Sequence, residues 1–222
     1  MSMQTIKGLI QGSDEWKQFR EEYLVASEAP IIMGASSYMT RTELLNLKTT
    51  GDEKEVSQWM EEVIYPKGHR HEARARPIAE ARLGQELYPI TGTREVAGLK
   101  LLASFDGATM FEDDSWEHKT LNQRLRELFS EGGQLEGVWF WQLEHQMLVL
   151  GTDSCVFAAS LGTEDTYHEV RYNSVPERRE QLLEGWKLFL KDLKNHRVKT
   201  PEPELVGRAP GGLPSLHVEV TG

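Results

Sequence analysis

The chain carries one cysteine, Cys155, in 222 residues. That excludes an internal disulfide framework and a four-cysteine iron–sulfur site. Its place in the apolar run SCVFAAS marks it as a buried side chain in a reducing compartment. No run approaches the roughly 18 apolar residues of a membrane-spanning helix. The opening MSMQTIKGLIQ also lacks a basic segment followed by an apolar one. These absences predict a soluble, cytoplasmic protein with no membrane partner. Positive charge is scarce as well, with 25 Lys and Arg against 35 Asp and Glu, a net charge of −10. A polyanion is bound by releasing counterions to clustered cations, so a protein that coats nucleic acid indiscriminately is excluded. A site that gathers its cations on one surface is not. There is no internal repeat.

What is present suffices for one core without staples, since 39% of residues are hydrophobic and 27% charged. Residues 1–199 read as a single domain, and the Pro- and Gly-rich residues 200–222 as a tail that is extended or disordered unless a neighbouring subunit orders it. Trp16, Phe19 and Tyr23 recur at helical spacing over residues 12–23, with Ser13 and Asp14 as caps. Ser27 reads as the cap of a second short helix ending at Gly34, and residues 41–47 as a third. An acidic helix is expected over residues 52–64, ended by Tyr65-Pro66, and another over residues 68–83, kinked by Pro77 and stopped by Gly84. Strands are expected at 87–92, 98–105, 116–120, 154–160 and 167–172, and helices at 121–130, 137–150 and from Pro176 to about residue 196. The order α, α, α, β, β, β, α, α, β, β, α predicts an α/β domain, a small central mixed sheet flanked by helices.

Residues 101–120, LLASFDGATMFEDDSWEHKT, hold the densest chemistry. On a strand, Glu117 and Lys119 share one face and His118 takes the other. Asp106 and Glu117 offer hard oxygen ligands for Mg²⁺, and Lys119 beside them can orient a water and offset developing negative charge. The plainer reading is a surface ion pair. His69 and His71 cannot share an ion on a helix, where residues two apart point about 200° apart. Lys67, Arg70, Arg74, Arg76 and Arg82 form the densest basic cluster, read either as a collected basic surface or as a solvated face with pairs such as Arg76–Glu80.

Acid followed by acid-x-Lys resembles the D-(D/E)XK nucleases, and more of the chain is similar to the lambda exonuclease family, the YqaJ-type viral recombinases. WKQFREEYLVASEA resembles that family's W-x3-R…T/V-A-S-E opening, and GHRHE its G-x3-E helix. SFDG and EHK resemble S-P-D-G and E-x-K, and WFWQLEHQM resembles Y-x-x-Q-x-Q-x-x-M. Five blocks in order, over about residues 11–195, make the resemblance specific. It implies a restriction-endonuclease-like core. Asp106, Glu117 and Glu72 would hold two Mg²⁺ ions, with Mn²⁺ as a substitute, Lys119 would position water, and Gln142 would line the site. Arg20 and the Ser27 region would seat a 5′-phosphate, and Tyr65 falls where the family has a wedge that splits the duplex. The implied activity is processive 5′ to 3′ digestion of one strand of linear double-stranded DNA, leaving a 3′ overhang for recombination. A ring-shaped homotrimer, a single-strand annealing partner and a phage or prophage origin in a bacterial host are implied with it. A mostly acidic exterior with a basic inner wall would suit such a ring. Phe105 stands where the family has Pro, His118 where it has an apolar residue, and Pro77 is unusual in the Glu72 helix. An endonuclease on the same core and a non-catalytic DNA-binding assembly protein remain as alternatives. The Trp16–Ala29 block favours the exonuclease, since a phosphate seat serves an enzyme that starts from ends.

Overall fold

The computed structural model describes residues 2–8, 13–52, 57 and 59–197. The expected tail, and residues 53–56 and 58 of the expected acidic helix, lie outside them. The chain opens with β1 (Gln4–Ile6), α1 (Asp14–Glu21), β2 (Leu24–Val25), a 3₁₀ turn (Ala26–Glu28), α2 (Ala29–Ile32) and α3 (Arg41–Thr50). A π-helical turn (Met60–Ile64) leads into α4 (Tyr65–Leu83), followed by β3 (Tyr88–Val96), β4 (Leu99–Ala108) and β5 (Ser115–Thr120). Then come α5 (Gln123–Ser130), α6 (Gly137–Leu150), β6 (Ser154–Ser160), a second 3₁₀ turn (Glu164–Thr166), β7 (His168–Asn173) and α7 (Pro176–Asn195).

Local chemistry sets many of these limits. Ser13 accepts the Trp16 N–H at the start of α1, Thr40 and Glu43 form a capping box on α3, and Asn122 caps α5. Gly51, Gly84 and Gly151 close α3, α4 and α6 in the left-handed region, where a Cβ would be strained.

One mixed sheet runs in the order β1-β3-β4-β5-β6-β7, with β2 alongside β4. The β2–β4 and β5–β6 pairs are parallel and the rest antiparallel. Parallel neighbours need a crossover, which α5 and α6 supply between β5 and β6. Side-chain alternation then gives each face its own cover. Trp116, Val156 and Ala158 meet Ala75 and Ala79 of α4 on one face, while Phe157, Cys155 and Ala159 meet Leu143 and Met147 of α6 on the other. Leu182, Trp186 and Phe189 of α7 pack into the core shared by α2, α6 and the β4 end of the sheet. Burial pushes the Cys155 thiol far up, which leaves it inert. No helix among the described residues is long and apolar enough to cross a membrane.

Three expectations are corrected. Tyr65-Pro66 does not end a helix, because the π-helical turn runs directly into α4 and the Tyr65 N–H bonds the Met60 carbonyl five residues back. The wide turn makes room for the Pro66 ring, which would crowd the carbonyl four residues earlier in a regular helix. Ser27 is not a helix cap, since pairing of β2 with β4 keeps Val25 extended at the N-cap and places exposed Ser27 inside the 3₁₀ turn. Arg76 pairs with Glu72 rather than Glu80, whose Oε1 accepts the Leu87 N–H instead. α4 continues through Pro77.

Candidate active site

The site begins where the β4–β5 ladder stops. These strands pair only at Gly107↔Trp116 and Ala108↔Ser115. Beyond that point the Asp106 carboxylate takes over from the backbone, its Oδ2 accepting the His118 N–H at 2.8 Å. An acid therefore holds the two strands together at the place where they part.

Glu117 and Lys119 share one face of β5, as alternation predicts, and that face looks at α6. Gln142 and Gln146 are four residues apart, hence neighbours on one side of the helix. Gln142 Nε2 donates to Glu117 Oε1 and Gln146 Nε2 to Oε2, each at 2.7 Å. Gln146 also donates to the Ser104 carbonyl at 3.0 Å, tying α6 to β4. Lys119 Nζ lies 2.5 Å from Glu117 Oε1 and 3.3 Å from Gln142 Oε1. His118 turns to the other face, where its Nε2 meets Ser160 Oγ at 2.8 Å and its ring lies 5.3 Å from Trp116. Burial pushes that imidazole down to about 4, with the Lys119 charge adding to the effect.

Glu72 approaches from α4. Arg76 bridges it to β4, with Nη2 2.6 Å from Glu72 Oε1 and Nε donating to the Asp106 carbonyl at 3.2 Å. Burial raises the Glu72 pKa, Arg76 and His69 oppose the rise, and Glu117 reinforces it. Asp106 is pushed well above the ordinary carboxylate range by burial and by the Glu117 charge, against the pull of Lys119. Burial works downward on Lys119, but Glu117 and Asp106 outweigh it and hold its pKa above the usual lysine range. The centre thus carries more buried negative charge than Lys119 balances.

Among the described residues no three His, Cys, Asp or Glu side chains stand grouped to hold one metal ion. Glu72 is turned to Arg76, and both Glu117 oxygens are engaged. The donor chemistry nevertheless fits a hard divalent cation, because Asp106 and Glu117 are desolvated oxygen donors whose mutual repulsion such an ion would relieve. The neighbouring acidic loop is committed elsewhere. Asp113 accepts from Thr109, and Asp114 takes a two-pronged contact from Arg171 at 3.1 and 2.8 Å.

Arg20, Ser27 and Tyr65 lie outside this bonded cluster. Arg20 sits 6.0 Å from the Trp16 ring and 3.9 Å from Glu28, which Lys48 also approaches at 2.9 Å. Parallel pairing of β2 with Leu101 and Leu102 nonetheless directs the Ser27 turn toward the Asp106 end of β4. Tyr65 is half exposed at the start of α4, near the exposed Trp59 and Val63. His71 is pushed down by burial and by Lys67, Arg70 and Arg74. Sequence reasoning missed Gln146, although its i,i+4 spacing from Gln142 was the available signal.

The family model of the YqaJ-like viral recombinase domain matches residues 15–153. No curated protein matches the chain. Among solved structures, the alkaline exonuclease LHK-Exo from Laribacter hongkongensis superposes with a TM-score of 0.64 at 21% identity, over 82% of this chain and 93% of that one. LHK-Exo in complex with dAMP gives the same TM-score at 20% identity, with the same coverage of both chains. A phage related exonuclease from Haemophilus somnus 129PT follows with a TM-score of 0.57 at 12% identity, over 81% and 96%.

Proposed function

Because the chain belongs to the YqaJ-like viral recombinase family, we propose that it is a Mg²⁺-dependent exonuclease that digests one strand of linear double-stranded DNA from a 5′-phosphorylated end. The observation that carries this reading is the Asp106–Glu117–Lys119 cluster, two desolvated carboxylates and an ammonium at the parting of β4 and β5. Asp106 and Glu117, joined by Glu72 on release from Arg76, would hold two Mg²⁺ ions. Their charge, when bound, would stabilise the attacking and leaving oxygens of phosphodiester hydrolysis.

The remaining steps belong to the chain's own residues. Lys119, protonated at neutral pH, donates toward the incoming water and the phosphate oxygen on which charge grows. Gln142 fixes Lys119 through its carbonyl and Glu117 through its amide, and Gln146 fixes the second Glu117 oxygen. The acid and the ammonium therefore keep their orientation as substrate arrives. Water adds to phosphorus, the P–O3′ bond breaks, and a 5′-mononucleotide leaves. The dAMP held by LHK-Exo is a product of that size, which favours an exonuclease over an endonuclease. Arg20 and the backbone around Ser27 would seat the 5′-phosphate, and Tyr65 would press on the duplex end. A ring-shaped trimer would make digestion processive, and an annealing protein would take the 3′ strand.

The test is linear duplex DNA labelled separately on each strand, with one 5′-phosphorylated end, incubated with Mg²⁺ and wild-type protein or Lys119→Ala. Shortening of the phosphorylated strand from its 5′ end, absent in the variant, is the expected result. Cutting of closed circular DNA would replace this reading with an endonuclease. No cleavage by folded wild-type protein with Mg²⁺ or Mn²⁺ would leave a binding role.

A further inference from the structure

α4 carries five cations between residues 67 and 82, and the structure sorts them into two kinds. Arg76 is bound to Glu72 and to the Asp106 carbonyl, and Arg82 is bound to Glu164 and Glu169. Lys67, Arg70 and Arg74 form no ion pair among the described residues and are exposed. Their spacing of three and four residues places them in one row along the helix. Arg70 and Arg74 are like charges at i,i+4, an arrangement that costs helix stability and that no ion pair among the described residues offsets.

A second observation shows that Arg74, at one end of the row, is held in place. Gly162, in the loop after β6 with φ +85°, lies so close that a Cβ there would meet Arg74 Cβ at 3.0 Å, Arg74 Cδ at 3.3 Å and the His71 backbone at 3.4 Å. The loop clamps the stem of Arg74 and leaves its guanidinium outside. The same loop is bonded to the active strand, since the Gly162 N–H donates to Ser160 Oγ, the partner of His118.

We propose that Lys67, Arg70 and Arg74 form a second DNA contact, a track for the phosphate backbone of the duplex portion of the substrate. This rests on the nuclease reading above. By the 100° helical step the row lies on the side of α4 away from Glu72, about a helix diameter of 10 Å across, so it is not directed at the phosphate being cut. From Lys67 to Arg74 the helix rises about 10.5 Å, in steps of about 4.5 and 6 Å, so the three side chains can meet successive phosphates of one strand. The packed stem of Arg74 fixes one end of that row. Single-strand tracks combine cations with stacking aromatics, and the segment KGHRHEAR contains no Phe, Tyr or Trp.

The test measures the affinity of the full chain for 5′-phosphorylated duplex DNA, with Ca²⁺ replacing Mg²⁺ to prevent cutting, from about 50 to about 200 mM salt. Removing all three charges, Lys67→Gln with Arg70→Gln and Arg74→Gln, should flatten the slope of log K against log salt by about 2.7, and each single change by about 0.9. Arg82→Gln removes the same charge from the same helix at a cation already paired, and should leave the slope unchanged. Circular dichroism checks that each variant is folded, and the single variants stand in if the triple one is not. If wild type cuts DNA but the triple variant keeps its salt slope, the row is solvated surface and the inference fails while the nuclease reading stands. A change seen on single-stranded DNA and not on duplex also overturns it. A wild type that neither cuts nor binds DNA overturns both.

Discussion

Two buried glutamates, Glu144 on α6 and Glu117 facing that helix from β5, make opposite uses of similar surroundings. Glu144 is fully buried, and its oxygens accept from Tyr172, Ser174, the Val175 N–H and Arg179. Val175 is the N-cap of α7, which has no side-chain cap of its own, so Glu144 supplies both the missing acceptor and a favourable charge at the helix start. Glu117 is nearly as buried and accepts from Lys119, Gln142 and Gln146. The difference lies in what stands next to each. Glu144 faces donors and a guanidinium, while Glu117 acts on Asp106 and Glu72 as an added negative charge and raises both. One carboxylate is balanced for stability, and the other belongs to a group left short of positive charge.

The largest test of this contrast is Asp106→Asn. Mg²⁺-dependent cleavage should fall at least about 10³-fold, equivalent to about 4 kcal/mol of transition-state stabilisation. The melting temperature should hold or rise, because the change removes a desolvated charge beside two others. Unfolding of this variant would break the comparison. Glu144→Ala should do the reverse, losing about 3 to 5 kcal/mol in urea denaturation by leaving Arg179 and three other donors without their acceptor. Its cleavage rate per folded molecule should stay near wild type.

A third test adds the ion itself. Mg²⁺ at about 100 times its dissociation constant should stabilise wild type by about 2.7 kcal/mol, read as a rise in melting temperature. The rise should vanish in Asp106→Asn and persist in Glu144→Ala.

The smallest effect uses the histidine next to each acid. Unfolded, an imidazole protonates near pH 6.5; folded, burial delays His118 to about 4 and His145 to about 3. Between those values the unfolded chain binds more protons, so stability is lost as pH falls below about 6.5. By pH 5 each should have cost about 2 kcal/mol, measured by denaturation across pH. His145→Gln should flatten the acid limb down to about pH 3, and His118→Gln only down to about pH 4.

Much of this was legible in the sequence, for reasons that differ from element to element. Residues 137–150 and 154–160 match α6 and β6 at both ends, because a long apolar segment between glycines, and an apolar run bounded by turns, leave little choice. Asp106, Glu117 and Lys119 were readable as neighbours, since strand alternation and one hairpin settle which side chains share a face. β1 and β2 were not, because strands of three and two residues carry no period. The path through Pro66 was misread because proline signals a boundary only in a regular helix, and a π turn is not visible in composition. The Arg76 partner was misread because Glu72 and Glu80 are equally spaced from it, and the Asp106 carbonyl, which decides between them, comes from a distant strand.

The hydrogen bond from His118 N–H to Asp106 Oδ2 makes one backbone amide a spectator of the chemistry. Its chemical shift and its exchange with solvent follow the ionisation of that carboxylate. That amide places a nuclear spin beside the acid, where protonation, cation arrival and substrate departure each register.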